Sequence, residues 1–249
     1  MKTPAVSPAV KKIRTYLAAK DQLNDTIIRL RLHLPEEGYD YYAGQCLTLY
    51  NNEGVGRMYC LSSVPGLDDF LELQISLTSH GALIPWIYGE LQVGDQVRIS
   101  PASGECFYLP GDLSQPIMLI GTGIALAPLY GILRDALIKH GHKGDIRLFH
   151  QTHSPDEYYL IPELMALQAE YPNFSYTHFI HGKSPVNVAL DVPEKSTSEM
   201  AFGTIEDLSP WQLFLCGDPS VIKEVKQDAI LLGAKENNIF ETPFTMSGD

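Results

Sequence analysis

Two hydrophobic rhythms divide this chain. Apolar side chains alternate strictly through Ile28-Arg29-Leu30-Arg31-Leu32-His33-Leu34 and again through Leu71-Glu72-Leu73-Gln74-Ile75-Ser76-Leu77. A period of two gives each strand one face in a core and one in water. After Pro110-Gly111 the pattern changes to apolar strands followed by helical segments, with Leu129, Ile132, Leu133, Ala136 and Leu137 along one helical face. Half-solvated antiparallel strands and doubly covered parallel strands belong to different architectures, so the chain reads as two units that meet near Leu109 to Ser114.

In the first unit, residues 1–110, further strands are expected at Lys12 to Ala18, Gln45 to Tyr50, Arg57 to Ser62 and Gln96 to Ser100, with turn signals at Asn51-Asn52-Glu53-Gly54 and Val64-Pro65-Gly66. Only Ala82 to Leu91 looks helical, and many short strands with one small helix predict a closed or nearly closed antiparallel β-barrel. In the second unit, residues 111–249, three strand-helix pairs follow: Ile117 to Ile120 then Leu126 to His140, Asp145 to His150 then Glu157 to Glu170, and Trp211 to Cys216 then Ser220 to Leu232. Such alternation predicts an α/β unit, a parallel sheet covered by helices on both sides. Lys183 to Ser209, rich in Pro, Ser, Thr and Glu, reads as a surface connection.

Thirty Asp and Glu against 18 Lys and Arg give a formal net charge of −12, which disfavours nucleic acid and anionic membrane surfaces. Met1 to Lys12 has no apolar core of a signal or transit peptide, so a cytoplasmic protein is expected. Ile117 to Leu133 is uncharged, but it falls short of the roughly 20 apolar residues of a membrane span and is broken by Gly121, Thr122, Gly123 and Pro128. Cys46, Cys60, Cys106 and Cys216 stand far apart without a C-x-x-C pair, which argues against a cluster or structural zinc and reads as buried small hydrophobes. The pairs His140/His142, His150/His153 and His178/His181 lack matching Cys or carboxylate partners, so no metal is expected.

Two stretches carry chemistry. Gly121-Thr122-Gly123 follows an apolar strand and opens a helix, where exposed N–H groups and the positive end of the helix dipole hold phosphates; by itself it is equally a plain tight turn. No acidic residue ends the next strand, where Phe149-His150-Gln151-Thr152 would have to hold a ribose, so a standard NAD Rossmann site is not expected. Arg57-Met58-Tyr59-Cys60-Leu61-Ser62-Ser63 places a guanidinium and an aromatic on one strand face, suited to phosphate oxygens and a flat ring.

Taken in order with Gly81-Ala82-Leu83-Ile84-Pro85-Trp86, Gly94-Asp95, Pro101 to Phe107 and Cys216-Gly217-Asp218-Pro219, these motifs make residues 10 to 244 resemble the ferredoxin-NADP reductase family of flavoprotein oxidoreductases, in particular oxygenase reductase components without the iron-sulfur domain. The family's R-x-[YF]-S-x-x-S is matched by Arg57, Tyr59, Cys60 and Ser63, except at the first serine. The resemblance implies FAD held by Arg57, Met58, Tyr59, Cys60, Ser63, Ile75, Leu77, Gly81, Ala82, Leu83 and Ile84, with Arg57 on the pyrophosphate, Tyr59 against the isoalloxazine and Cys60 where a serine hydroxyl approaches flavin N5. It implies NAD(P)H facing Gly121, Thr122 and Gly123, with Cys216 and Gly217 bordering the nicotinamide and Glu241 and Phe244 matching the family's tail near the flavin. Cys60, Cys216 and Glu241 are the implied catalytic residues.

The chain departs from that pattern in places. Gly123-Ile124-Ala125-Leu126-Ala127-Pro128 has Ile for Thr and Ala for the second Gly of the family turn; Ile84 replaces a serine, and Ser76 a basic residue. Two functions stay open. One is hydride transfer from NAD(P)H to FAD and onward transfer to an oxygenase component, an iron-sulfur protein or free flavin. The other is a degenerate relative that binds flavin or a partner without efficient nucleotide turnover. Arg29, Arg31, Lys11 and Lys12 are candidates for a basic docking patch, and His181, Lys183 and Ser184 for reading a 2′-phosphate.

Overall fold

A computed structural model of the protein describes residues 12–78, 81–180 and 196–244. Its first sheet contains β1 (Ile13–Gln22), β2 (Ile27–His33), β3 (Cys46–Tyr50), β4 (Gly56–Cys60), β5 (Phe70–Ser76) and β6 (Gln96–Ile99), paired antiparallel in the order β4-β3-β6-β1-β2-β5. The two end strands meet through a Leu61–Leu73 bridge and the Ser62 N–H donated to the Glu72 carbonyl at 3.0 Å, so the sheet curls into the expected barrel. Leu17, Leu30, Leu32, Leu47, Leu49, Leu61, Leu71 and Leu73 fill it. Helix α1 (Ile84–Gly89) lays Trp86 and Ile87 on this core, with Pro85 in its first turn, where a missing N–H costs nothing.

The alternation in β5 misleads on one point. Glu72 and Gln74, expected in water, are buried, because the second unit covers the outer face of that strand. Glu72 is satisfied there: it accepts from Ser62 Oγ and Gln74 Nε2, each at 3.0 Å, and from Arg31 Nε at 2.9 Å. Arg29 pairs with Asp21 at 2.9 Å, so neither arginine is free for the expected basic patch; Lys12 lies over the Tyr50 ring, and Lys11 is outside the described residues.

The second sheet is wholly parallel: β7 (Ile117–Thr122), β8 (Ile146–Thr152), β9 (Phe174–Ile180), β10 (Gln212–Gly217) and β11 (Ile239–Pro243), in the order β11-β10-β7-β8-β9. One face packs on α2 (Leu126–Arg134) and α3 (Ile161–Glu170) through Leu119, Leu129, Leu133, Leu148, Leu164 and Phe214. The other packs on α4 (Thr197–Phe202) and α5 (Pro219–Leu231) through Met118, Phe202, Leu213, Leu215 and Val225. The helix expected from Leu126 to His140 widens after Arg134 into a π-helical turn, Asp135–Lys139. Strand β9 lies outside the three expected pairs, and α4 falls within the stretch expected to be a connection. Ser196 starts α4 with a capping box to Glu199. No helix among the described residues is long and apolar enough to cross a membrane.

The units touch closely. Gly131 of α2 has no side chain, and a Cβ there would come within 3.1 Å of the Ser62 carbonyl oxygen and 3.2 Å of that of Leu61. The connection after β6 threads Cys106 and Tyr108 into the α/β core, with Cys106 Sγ 3.6 Å from Cys216 Sγ. The cysteines correct the sequence reading. Cys46 and Cys60 sit directly opposite each other on β3 and β4, Cα atoms 3.8 Å apart, and are joined as a disulfide; Cys106 and Cys216 are free.

Candidate functional site

The strand order itself locates a crevice. From β7 the chain runs to β8 and β9 on one side and then returns to β10 and β11 on the other, so the topological switch lies between β7 and β10, and ligands of such sheets bind outside the carboxyl ends there. Gly121 and Thr122 end β7 at this point and Gly123 opens the turn that follows, while Cys216 and Gly217 end β10 beside them. Each glycine has a physical reason. A Cβ on Gly121 would lie 2.6 Å from Leu129 Cδ1, so α2 can approach the strand only over a bare backbone. Gly217 has φ +128, and a Cβ there would overlap Thr122 Oγ1. That hydroxyl accepts the Asp218 N–H at 2.8 Å, and Asp218 in turn caps α5 by accepting the Ser220 N–H at 2.8 Å. On the other side of the turn, His150 and Tyr159 hold the carbonyls of Gly123 and Ile124. The motifs that carried the resemblance do not include either residue. The readable signal is a polar His150 ending an apolar strand, in register with Gly121.

On the barrel, Arg57 Nη1 donates to the Gly56 carbonyl at 3.1 Å, but its Nε is buried without a hydrogen-bond partner. An unmatched guanidinium donor is costly unless an anion completes it. Tyr59 beside it is half-buried, its phenol pushed up to about 12 by burial, and Met58 is exposed. Leu77 and Ile84 line a cavity of about 340 Å³ together with Gln22, Asp25, Pro85 and Tyr88. Gly81 accepts the Ile84 N–H at 3.0 Å, next to exposed Ala82.

Other implied site residues lie differently from the expectation. Ile75 and Leu83 have their side chains in the barrel core. Ser63 is fully buried, with its Oγ bonded to the Tyr41 hydroxyl and the Glu72 N–H. The disulfide leaves Cys60 no S–H to donate. Cys216 is buried against Cys106, and burial holds its thiol far above the usual range, so it is neutral at pH 7. Phe244 donates its N–H to the Gly217 carbonyl at 2.7 Å and so joins this cluster. Glu241 does not: it shares its strand face with Leu215, toward α5, where Lys226 Nζ lies 3.2 Å away. His181, Lys183 and Ser184 lie outside the described residues.

Residues 119–227 match the oxidoreductase NAD-binding domain. The chain is 27% identical over 243 residues to the ferredoxin–NAD(P)(+) reductase component of the naphthalene 1,2-dioxygenase/salicylate 5-hydroxylase systems of a Ralstonia species, covering 98% of this chain and 72% of that protein. It is 30% identical over 220 residues to the aromatic O-demethylase reductase subunit of an Amycolatopsis species, covering 84% of this chain and 62% of that one. Among solved structures, the Amycolatopsis cytochrome P450 reductase GcoB superposes with a TM-score of 0.81 at 24% identity, covering 96% of this chain and 71% of that chain. A ferredoxin NADP+ reductase from Neisseria gonorrhoeae, solved with bound FAD and NADP, superposes at 0.75 with 21% identity, covering 94% of this chain and 98% of that chain. Together with the switch-point crevice, these likenesses show that the chain has the fold of the ferredoxin-NADP reductases and that residues 119–227 form an oxidoreductase NAD-binding domain.

Proposed function

We propose that the protein takes a hydride from NAD(P)H onto FAD and passes the electrons to a separate acceptor, with residues 1–110 as the flavin unit and 111–249 as the nucleotide unit. One observation carries this reading. The strand bearing Arg57 and Tyr59 leads straight into Leu61 and Ser62, whose carbonyls lie against Gly131 of α2, the helix that follows the Gly121-Thr122-Gly123 turn. The two candidate sites therefore share a wall, and proximity of two bound reactants supplies much of the acceleration in such reactions.

The residues fit the group. The unmatched Arg57 Nε, buried beside Tyr59, suits a diphosphate next to a flat ring, and the bare backbone at Gly123 suits a second phosphate. FAD, when bound, supplies the two-electron acceptor that can later give up electrons singly. The chain supplies the rest: Arg57 binds the diphosphate, Tyr59 orients the ring, and the turn with Gly217 seats the nicotinamide nucleotide. Buried Cys216 and Cys106 exclude water behind that crevice. Relatives named as reductase components of dioxygenase and monooxygenase systems support a protein acceptor. The test is anaerobic: purified protein is loaded with FAD, and the flavin absorbance near 450 nm is followed while NADH or NADPH is added. Bleaching by either nucleotide is expected; a flavin that stays oxidised with both overturns the reading.

A further inference from the structure

His150 is fully buried at the carboxyl end of β8. Its Nε2 lies 2.8 Å from the Gly123 carbonyl oxygen, which can only accept, so Nε2 carries the proton, and Nδ1 faces the Tyr176 hydroxyl at 3.4 Å. Tyr159, also buried, donates its hydroxyl to the Ile124 carbonyl at 3.2 Å and packs edge-on against the His150 ring. An imidazole this deep costs desolvation that a phenyl ring would not, unless its hydrogen bonds are used. Here they are spent on the turn.

The consequence follows from peptide geometry. A trans peptide plane carries its C=O and N–H in opposite directions, and the described residues contain no cis bond. The Gly123 carbonyl, which also accepts the Leu126 N–H, is drawn toward β8 by His150, so the Ile124 N–H of the same plane points away from the imidazole. Tyr159 does the same one residue later, for the Ala125 N–H. Gly123 reaches this arrangement with φ +53, the left-handed region that favours glycine. Ile124 offers no hydroxyl of its own, so at that position only the backbone can meet a phosphate.

We propose that His150, backed by Tyr159, is a positioning residue for the nicotinamide nucleotide: its Nε2–H sets the Gly123–Ile124 peptide plane so that the turn presents its N–H groups to the nucleotide phosphates. This rests on the function proposed above and deepens it. The imidazole itself touches no ligand and acts through the backbone.

The experiment uses the full FAD-loaded chain and three variants, His150→Phe, His150→Gln and Tyr159→Phe. Two readouts are taken: binding of NAD+ and NADP+ by calorimetry, and KM and kcat for NADH and NADPH. His150→Phe keeps the volume and loses the donor. It is expected to weaken nucleotide binding and raise KM roughly tenfold, with flavin content unchanged and kcat within about twofold. His150→Gln, which returns an N–H donor, is expected to recover most of the loss. Wild-type affinity in His150→Phe overturns the proposal, as does a His150→Gln variant as impaired as His150→Phe. Should His150→Phe not fold, Tyr159→Phe removes a single hydroxyl and must raise KM about threefold; an unchanged KM overturns the role of the pair. Wild-type protein that binds neither nucleotide overturns the proposed function and this inference together, whereas wild-type binding with an indifferent His150→Phe overturns this inference alone.

Discussion

Arg134 of α2 holds Asp68 of the barrel through two parallel hydrogen bonds, Nη1 to Oδ2 at 2.9 Å and Nη2 to Oδ1 at 2.8 Å, and the same carboxylate accepts the Val64 N–H at 2.7 Å. One aspartate thus closes a barrel loop and clamps the neighbouring unit. The guanidinium also leans on the Tyr130 ring, 5.4 Å from its centroid, so its orientation is held from a third direction.

Removing either partner leaves the other charge in a largely buried site. Arg134→Ala and Asp68→Ala are each expected to lower stability by about 3 kcal/mol in urea unfolding. The double variant should lose clearly less than the sum of the two, because the pair is already broken by the first change. Strict additivity would show that the two side chains are not coupled.

Gly131→Ala separates stability from activity. Alanine raises helix propensity by about 1 kcal/mol, while its Cβ presses on the Leu61 and Ser62 carbonyls at 3.1–3.2 Å and pushes α2 off the barrel. We expect a melting temperature close to wild type, flavin reduction by dithionite unchanged, and reduction by NAD(P)H slowed about tenfold. Equal rates with both reductants in the variant and the wild type would show that this contact does not set the spacing.

Acid should weaken the protein through His150. Burial lowers its pKa from the usual 6.5 to about 4 in the folded state, so the unfolded chain takes up a proton first as pH falls. Stability attributable to this group is whole above pH 6.5, declines between pH 6.5 and 4, and levels off below that, a loss of roughly 3 kcal/mol. Urea midpoints across this window should show the decline in wild type and a shallower one in His150→Phe.

The thiol count is a direct check of the β3–β4 pairing. Protein unfolded without reductant should show two titratable thiols, Cys106 and Cys216, and all four cysteines after reduction. Four thiols in the unreduced sample would mean that Cys46 and Cys60 do not pair in solution.

The barrel and the parallel sheet were legible because their side-chain periods differ, and each period is set by local geometry. Leu30, Leu32, Leu71 and Leu73 point inward as alternation requires. Glu72 and Gln74 broke the pattern because their burial comes from a second unit that docks on them, and no periodicity within β5 records what will cover it. Helix α4 was readable: Ser196 and Glu199 are a capping box in plain sight, outweighed by the composition around them. Within the site, glycines whose need is local stood out, whereas Glu241 turned to Lys226 because its strand face is fixed by pairing with β10. His150 was legible only as a polar residue, since the carbonyl it serves is brought to it by the register between two strands.

Strand order also dictates when the molecule becomes competent during synthesis. The barrel is complete once β6 and the segment around Leu61 and Leu73 have emerged, so it can fold ahead of the parallel sheet. Strand β7 emerges next but gains its neighbour on the crevice side only when β10 follows, after β8, β9 and α4. Until then its apolar edge is an open template for other chains. A chain halted between Phe202 and Gln212 would therefore pair a finished barrel with a sheet whose β7 edge is still open to aggregation.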